Sequence, residues 1–493
     1  MTVVLLANVG NRDVQLTDRS ALPEPLRDGP LPARTLGEEL LANLAGYRDL
    51  LAYPMIGVTV RWLIEEQAIS PDDLYVHLFA TDQPEEATPR PLWLQDTVGL
   101  AKIIQRCLVD GFPTLGSPSR GRLAKSHVRL HTIRSNPAHY RLMLETFTEH
   151  FDQLKRYLDA GDEVFLEVTG GTPAMTSMMI VAGANSFGQQ ARAIYIQPGD
   201  DEPERVGVLQ AFFRRQSRAS LAQQIGLYAY ETAYATFIDQ ADLITPNVDQ
   251  QSLVASLLRY AGRRLAFDFE RAREALNTAK AVAPGDVYAH VKHWHAELNH
   301  PDDADRLGEL IHSARIKYQL GDYADFTQRL FRFQEAGFRS LAVRMGMRCT
   351  DDDGEFVDMA WAHAVPGLLT YLADYVTPEG KRTSIDIEQR SLNRVSLGAI
   401  VDFYVDTDAS WEHLEDPVAK LFRLSTFGGL RNRGLAGHGF KGIGKPDLTE
   451  AFDEDADQVV PLLETIYVDL FNRPLGESPY VAVNRLILAQ ITA

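Results

Sequence analysis

The sequence predicts an α/β unit at the N-terminus, with a mostly parallel sheet and helices on both faces, followed by an all-α C-terminal region. Three observations predict this. Before about residue 210, short β-branched runs alternate with amphipathic helical patterns, as in parallel sheets. The runs are apolar throughout, as in strands that are buried on both sides. After Gln210 the strand signals fade and a 3.6-residue periodicity dominates.

Each predicted strand is a short apolar run between polar or glycine-containing segments. The predicted strands are Val3–Ala7, Leu74–Ala80, Val128–Ile133, Glu163–Val168, Ala193–Ile196 and Val206–Leu209. The helices predicted between them are Gly37–Leu51, Trp93–Val109, Tyr140–Leu158 and Ala174–Ser186. Those predicted in the second half include Ser252–Leu265, Phe269–Ala281, Ala304–Leu320, Phe326–Val343, Ala360–Tyr375 and Val459–Phe471. Ligands of such sheets bind in the loops beyond the carboxyl ends of the strands.

Composition excludes several classes of protein. The chain has 493 residues and a net charge of −18, so a uniformly basic surface that coats nucleic acid is excluded, although a small basic site is not. The two distant cysteines, Cys107 and Cys349, exclude a disulfide framework and favour a cytoplasmic location. The run Val3–Ala7 is too short for a signal peptide, and glycine, proline and asparagine interrupt the uncharged stretch Val168–Ala191. We therefore expect no membrane segment.

The first motif is Glu167–Met175 (EVTGGTPAM), which follows a predicted strand and opens a predicted helix. Two glycines allow a tight turn and a close approach of the backbone to a ligand. A threonine that caps the helix, followed by proline in the first turn, would leave amides available for an anion or a nucleotide edge. A plain strand–helix turn is the alternative interpretation. The candidate ligand contacts are Thr169, Gly170, Gly171, Thr172, Pro173 and Met175.

Two further polar loops follow predicted strands. Asn8–Arg12 (NVGNR) follows the first strand, and Phe79–Gln83 (FATDQ) lies at the end of the second. Because the carboxyl ends of parallel strands meet at one edge of a sheet, the three loops predict a pocket there. The candidate contacts from these two loops are Asn8, Gly10, Asn11, Arg12 and Thr81.

The second motif is Leu430–His438 (LRNRGLAGH). It lies in the segment Pro417–Pro446, which contains six lysines and arginines and no acidic residue. A guanidinium group matches phosphate geometry, and a histidine can move protons near neutral pH. Such a pair suffices for RNA cleavage by the 2′-hydroxyl without a metal. The candidate catalytic residues are Arg431, Asn432, Arg433 and His438. The alternative is a helix C-terminus whose cations complement the helix dipole.

Together, these motifs resemble two known families in a known order. The glycine loop after the first strand and the later TGGT turn resemble a CARF domain, a Rossmann-like sensor of cyclic oligoadenylates in type III CRISPR immunity. Arg431-Asn432 and His438, with six residues between Arg431 and His438, resemble the R-x4–6-H signature of HEPN ribonucleases. CARF followed by HEPN resembles the effector ribonucleases of type III CRISPR systems. Glu167 stands where the CARF pattern has aspartate, and Pro173 where it often has lysine, so a lysine contact to the ligand is not carried over.

The resemblance implies a CARF sensor domain over 1–210 and a HEPN ribonuclease domain over 301–493. Between them, 211–300 would be a helical linker region, in which Phe267–Gly285 resembles half of a tetratricopeptide hairpin. It further implies a homodimer that binds one cyclic oligoadenylate across its two-fold axis and builds a composite ribonuclease site. The expected activity is activator-dependent cleavage of single-stranded RNA, leaving a 2′,3′-cyclic phosphate and a 5′-hydroxyl, with neither a metal nor a cofactor.

The motifs leave several questions open. Arg431 is preferred as the main catalytic arginine because Asn432 follows it, and Arg433 would be an auxiliary phosphate contact. A non-catalytic cyclic-nucleotide sensor or interaction module remains an alternative. So does a ring nuclease, in which the CARF domain degrades its own ligand. The sequence indicates neither the ring size of the activator nor the RNA base preference.

Overall fold

The computed structural model describes residues 1–111, 122–197, 199–350, 355–378, 380–388, 391–434 and 439–492. The chain divides into two compact units, Met1–Gln216 and Ser217–Ala493. Among the described residues, no helix combines the length and apolar character that crossing a bilayer requires.

The N-terminal unit is built around one sheet. Its strands are β1 (Val3–Asn8), β2 (Gln15–Leu16), β3 (Leu51–Ala52), β4 (Leu74–Thr81), β5 (Val128–Ile133), β6 (Glu163–Glu167), β7 (Ala191–Tyr195) and β8 (Glu204–Val206). Two further strands, β9 (Tyr375–Val376) and β10 (Arg382–Thr383), belong to the C-terminal unit. The sheet has the order β5–β4–β1–β6–β7–β8. All its pairings are parallel except that of β7 with β8. The chain therefore reverses direction across the sheet between β1 and β6, where such folds open a crevice.

Helices cover both faces of this sheet. They are α1 (Ala33–Ala42), α2 (Leu44–Tyr47), α3 (Ile56–Glu65), α4 (Arg90–Trp93), α5 (Val98–Asp110), α6 (Tyr140–Lys155) and α7 (Pro173–Phe187). Alternate residues of β1 point to opposite faces: Leu5 packs in a core with α1, α3 and α5, whereas Leu6 packs in a second core with α6 and α7. This explains why the strands read as continuous apolar runs.

The C-terminal unit is largely helical. Its helices follow α8 (Val208–Gly226), which begins in the first unit: α9 (Tyr230–Ile244), α10 (Val248–Leu265), α11 (Phe269–Val282), α12 (Gly285–Glu297), α13 (Asp303–Gln319), α14 (Tyr323–Arg344), α15 (Met359–Ala364), α16 (Leu368–Ala373), α17 (Arg394–Thr407), α18 (Glu415–Arg423), α19 (Gly428–Arg433), α20 (Lys445–Phe452), α21 (Val459–Phe471) and α22 (Pro479–Thr492). Helices α8 to α12 share a core with α22, and α13 to α21 form a second core.

The predicted fold class is confirmed, with local differences. Helix α3 was not predicted, since its β-branched residues obscure the helical period. The predicted strand Val206–Leu209 is mostly wrong, because β8 ends at Val206 and a helix begins at Val208. The short antiparallel pair β9–β10 lies inside the region expected to be all helical. The predicted helix Ala360–Tyr375 divides into α15 and α16 around Gly367, whose φ is +84°. The three-part division at 210 and 300 stays a prediction.

Candidate functional site

A cavity of about 490 Å³ lies at the carboxyl ends of β1 and β6, where the strand order reverses. Nine of the eleven predicted ligand contacts line it: Gly10, Asn11, Arg12, Thr81, Thr169, Gly170, Gly171, Thr172 and Met175. Asn8 does not line it, because its side chain is completely buried below the loops. Pro173 is exposed in the first turn of α7 and lies outside the lining. The structure thus brings the three predicted loops together, and their contact with a ligand stays a prediction.

The two glycine loops touch through their backbones. A Cβ atom added to Gly170 would lie 2.3 Å from the carbonyl oxygen of Asn8, and one on Gly10 would lie 3.2 Å from the amide nitrogen of Gly171. Gly171 also has a φ of +90°, which side-chain-bearing residues rarely adopt. Only glycine therefore allows this approach. The contact between the two loops accounts for the GG pair, and a role of the turn as a ligand cradle stays a prediction.

A buried polar cluster supports these loops from below. Asp13 accepts hydrogen bonds from the amides of Gly10 at 2.6 Å and Ile56 at 3.3 Å. Glu167 accepts one from the Thr169 amide at 3.0 Å. Neither Oε2 of Glu167 nor the side-chain amide of Asn8 has a hydrogen-bond partner among the described residues. The carboxylates therefore shape both loops, and buried hydrogen-bonding capacity remains unused beneath the pocket.

Both buried carboxyl groups favour the protonated form. Burial raises the pKa of Glu167 to about 7. Burial, together with the nearby charge of Glu167, raises the pKa of Asp13 well above its ordinary value. Two carboxylates so close together cannot both ionise cheaply in a low-dielectric interior. Glu167 is therefore expected to be partly protonated near neutral pH.

The start of α7 borders the cavity through Thr172 and Met175. Thr172 caps this helix by accepting a hydrogen bond from the Met175 amide at 3.2 Å, and its hydroxyl donates to the Pro137 carbonyl oxygen. The Thr169 hydroxyl accepts one from the Ile196 amide at 2.9 Å. Helix N-termini favour anions because their first amides lack partners within the helix. The predicted capping role of Thr172 is confirmed.

Sequence reasoning missed one wall of the cavity. Gln83, Asp96 and Thr97 line it, and Arg34 holds Asp96 and Asp82 at 2.9 and 2.8 Å. Asp96 and Thr97 were assigned to the predicted helix Trp93–Val109, but α5 begins only at Val98. Residues 136–138, after β5, form another missed part. The rule that polar loops gather at the carboxyl edge would have found them.

The second motif lies at the end of α19. Arg431, Asn432 and Arg433 are exposed there, whereas His438 lies outside the described residues. The guanidinium carbon of Arg431 lies 5.4 Å from the ring centre of Phe331, which packs below it. After the gap the chain returns to the same helix end: the amide of Lys441 donates to the Arg433 carbonyl oxygen at 3.0 Å. A Cβ atom on Gly439 would meet that oxygen at 2.0 Å, so this return requires glycine.

The structure changes the interpretation of the basic segment Pro417–Pro446. Four of its six cations form ion pairs with acids outside the segment. The pairs are Lys420 with Asp416 and Asp469, Arg423 with Glu454, Lys441 with Asp447, and Lys445 with Asp457. Within the described part of the chain, Arg431 and Arg433 form no ion pair. The positive charge available to a phosphate is therefore concentrated on the two arginines of the motif.

No metal centre is visible in the part of the chain that the structure describes. Among these residues, no group of three or more histidine, cysteine, aspartate or glutamate side chains is placed to hold a metal ion. The arrangement around α19 supplies guanidinium groups, which can hold a phosphate by charge and paired hydrogen bonds.

Comparison with known proteins identifies the fold. No protein-family model and no curated protein matches the sequence. The structure is similar to that of Csm6 from Enterococcus italicus bound to cyclic hexa-2′-fluoro-hexa-dAMP, with a TM-score of 0.62 and 13% sequence identity. The match covers 99% of this chain and 100% of that chain. Csm6 is a CARF–HEPN effector, and at this identity the likeness shows the fold alone. The chain therefore has the CARF–HEPN fold that its two motifs predicted.

Proposed function

We propose that this protein is an endoribonuclease that a cyclic oligoadenylate activates by binding in the N-terminal pocket. Activation would lead to metal-independent cleavage of single-stranded RNA at α19. The observation that carries the proposal is the pairing of two sites within one CARF–HEPN fold. One is a glycine-built pocket at the reversal of the strand order, and the other is a pair of arginines that form no ion pair among the described residues.

The proposed ligand is supported by the character of the pocket. The backbone of Gly170 and Gly171, just before α7, allows a phosphate to approach closely. Asn11, Thr81 and Gln83 offer polar groups for a base or ribose edge. The related fold of Csm6 carries a cyclic hexa-adenylate analogue. A pocket of this kind would hold half of such a ring, so a homodimer is part of the proposal. The ligand would favour the conformation in which the two ribonuclease sites are aligned.

The proposed cleavage needs only groups of the α19 motif. The 2′-hydroxyl oxygen attacks the adjacent phosphorus and loses its proton, and the bond from phosphorus to the 5′ oxygen breaks. The leaving oxygen takes up a proton, which gives a 2′,3′-cyclic phosphate and a 5′-hydroxyl. Arg431 would stabilise the charge that develops on the phosphorane, Asn432 would position it, and His438 would transfer protons. Arg433 would hold a neighbouring phosphate.

The test is a fluorogenic RNA cleavage assay in EDTA with no activator, cyclic tetra-adenylate or cyclic hexa-adenylate. We expect cleavage that one ring stimulates, with cyclic phosphate ends identified by mass spectrometry. His438→Ala should abolish cleavage while the activator still binds. His413→Ala removes an exposed histidine outside the motif and serves as the matched control.

Two outcomes would contradict the proposal. Full activity of His438→Ala would exclude the assigned site. No cleavage by folded protein with either ring would favour a non-catalytic sensor. Chromatography of the activator after the same incubation would show whether the pocket degrades its own ligand.

A further inference from the structure

Arg431 also lines a second cavity, which lies entirely within the C-terminal unit. Its volume is about 690 Å³, within the usual range for small-molecule sites. The turn between α10 and α11, together with α13, α14 and α19, provides its walls. Four arginines and two acids line it, a local charge of +2 in a chain of net −18: Arg306, Arg329, Arg332, Arg431, Asp325 and Glu335. An anionic polymer would therefore be attracted to this cavity.

Aromatic rings form the other part of the wall. Phe267 and Phe269 lie edge to face, with ring centres 5.7 Å apart, and both are partly buried. Phe331 lies below the Arg431 guanidinium and is buried. Partly exposed aromatic rings beside phosphate-binding cations are what proteins use to hold unstacked bases of single-stranded nucleic acid.

The backbone at Phe267 is unusual in a way that favours a role for its ring. The residue has a φ of +60°, in the left-handed region where a helix usually ends in glycine. It occupies that capping position: its own amide donates to Arg264 and the amide of Asp268 donates to Arg263, both at 2.9 Å. A bulky side chain is disfavoured in this conformation. Glycine at this position would cap α10 more easily, but phenylalanine places a phenyl ring in the wall of the cavity.

We propose that this cavity is the nucleobase pocket of the RNA site. It takes one unpaired base of the strand whose phosphate Arg431 holds. The base contacts the rings of Phe267 and Phe269, while Gln328, Arg332 and Glu335 are available to its polar edge. The inference rests on the proposed function, because it assumes that the anionic ligand of Arg431 is single-stranded RNA. It adds a determinant of base preference that neither sequence motif contains.

A site for a phosphate alone would need neither the aromatic rings nor the acidic side chains of this cavity. Asp325 and Glu335 lie in the same cavity and would repel a second phosphate placed between them. Both carboxylate oxygens of Asp325 are engaged, one by Arg329 and the other by Lys317. Glu335 pairs with Arg332 through Oε1 at 2.8 Å, and its carboxylate can accept a further hydrogen bond from an amino group. The cavity therefore suits a neutral, hydrogen-bonding ring attached to a phosphate, which describes a nucleotide of a single strand.

The chain offers a closely matched pair of variants. Phe267→Gly removes the ring and retains the capping conformation. Tyr228→Gly makes the same change at the end of α8, where Tyr228 has a φ of +55° and the same two capping hydrogen bonds. Tyr228 also lies edge to face with a neighbouring ring, that of Tyr230, but it does not line this cavity. A difference in RNA affinity between the two variants therefore reports the loss of a ring from the cavity and not a change at the end of a helix.

The experiment measures binding of fluorescein-labelled, fully 2′-O-methylated single-stranded RNA to the full-length protein by anisotropy. This RNA cannot be cleaved through a 2′-hydroxyl, so the measurement does not depend on catalysis. Phe267→Gly should weaken binding by about tenfold, as expected for the loss of one base stack. Tyr228→Gly should leave the affinity unchanged. RNAs with a single abasic position should show one sensitive position in wild-type protein, and Phe267→Gly should remove that sensitivity.

The outcomes separate this inference from the proposed function. Equal RNA affinity in wild-type protein and Phe267→Gly, with Phe267→Gly still folded by circular dichroism, would overturn the nucleobase pocket. So would an abasic effect that survives in Phe267→Gly. If the protein binds RNA with the expected pattern but never cleaves it, the pocket stands and the ribonuclease proposal fails. A different result would overturn the pocket and leave the ribonuclease proposal standing. In that case the protein cleaves RNA, and Phe267→Gly retains the wild-type ratio of cleavage rates on RNAs that differ at one base.

Discussion

The N-terminal pocket and the end of α19 are built from different parts of the chain. The pocket depends on backbone atoms: glycines at positions 10, 170 and 171 bring two loops into contact, and buried carboxyl groups hold their amides. The α19 motif depends on exposed side chains at the end of a six-residue helix. Substitutions should therefore affect the pocket through its shape and stability. They should affect the α19 motif through chemistry, with the fold intact.

The largest effect is expected for Arg431→Ala. Removing one group that stabilises the charge of the transition state typically costs 10²–10³-fold in rate, so activator-stimulated RNA cleavage should fall by roughly that factor. The side chain is exposed and its ring contact with Phe331 is a surface cation–π interaction, so the free energy of unfolding should fall by less than about 1 kcal/mol. Stopped-flow cleavage and urea unfolding measure the two quantities.

Arg423→Ala is the control for that prediction. Arg423 belongs to the same basic segment, but Glu454 holds it at 2.7 Å. Its removal should leave the cleavage rate within about twofold, as for an exposed ion pair outside the site. Equal losses of rate in both variants would mean that general positive charge, and not the position of Arg431, drives cleavage.

Gly170→Ala should damage the pocket and the fold together. The added Cβ would lie 2.3 Å from the Asn8 carbonyl oxygen, so the two loops must separate. Overpacking of this kind typically costs 1–3 kcal/mol of stability, and binding of the cyclic oligoadenylate should be lost with it. Urea unfolding and isothermal calorimetry measure these effects. Gly161→Ala is the control, since nothing lies within 4 Å of its added Cβ. Unchanged activator affinity in Gly170→Ala would exclude the contact between the loops as a requirement.

The buried carboxyl group of Glu167 predicts a pH effect on stability. Its folded pKa of about 7 lies above its ordinary value of 4.5. The folded state therefore binds more protons than the unfolded state between these pH values. The stability contributed by the protonated group is complete below about 4.5 and is lost as pH rises through about 7. Glu167→Gln cannot ionise, so its free energy of unfolding should rise relative to wild type between pH 4.5 and pH 8.

That pH effect needs a difference measurement. Burial lowers the pKa of His77 to about 3 and that of His131 to about 4, so both histidines add their own loss of stability as pH falls below about 6.5. Subtracting the wild-type profile from that of the variant cancels their contribution. Glu163→Gln, on the same strand but partly exposed beside Arg192, is the control. A difference that stays constant with pH for Glu167→Gln would contradict its buried, protonated state.

The smallest effect concerns neighbouring cations. Arg433→Ala should reduce the salt dependence of RNA binding by roughly 0.7 in the slope of log affinity against log salt, the value expected for one phosphate contact on a single strand. Lys441→Ala should leave that slope unchanged, because Asp447 already holds Lys441 at 2.9 Å. Fluorescence anisotropy over a range of salt concentrations measures both. Equal slopes for the two variants would place the phosphate contact elsewhere.

Local patterns predicted most of the framework. Strand β5 and helix α21 have the predicted boundaries, because an apolar run between polar residues and a clear helical period are properties of a short segment. Helix α3 was not predicted, since its β-branched residues Ile56, Val58, Thr59 and Val60 are typical of a strand. The wall of the N-terminal cavity at Asp96 and Thr97 was also not predicted, because both residues were assigned to a helix that begins only at Val98.

The chemistry of the sites was only partly predictable. Glycines and arginines were found because their spacing is visible in the sequence. Six cations in a segment without acidic residues suggested a broad basic patch, but ion pairs with acids outside the segment neutralise four of them. The ring of Phe267 could not be linked to Arg431, because the two residues are separated by several helices in the chain.

The sequence by itself determined the order of the α/β and helical units, the strands of the sheet except β8, and the two motifs at the ends of β6 and α19. These depend on periodicity and on residue types a few positions apart. Only the tertiary structure decided that Gly10 meets Gly170, that Asp13 and Glu167 share one buried site, and that Phe267 lines a cavity with Arg431. Such contacts join distant segments, and their proximity and charge balance depend on how the whole unit packs.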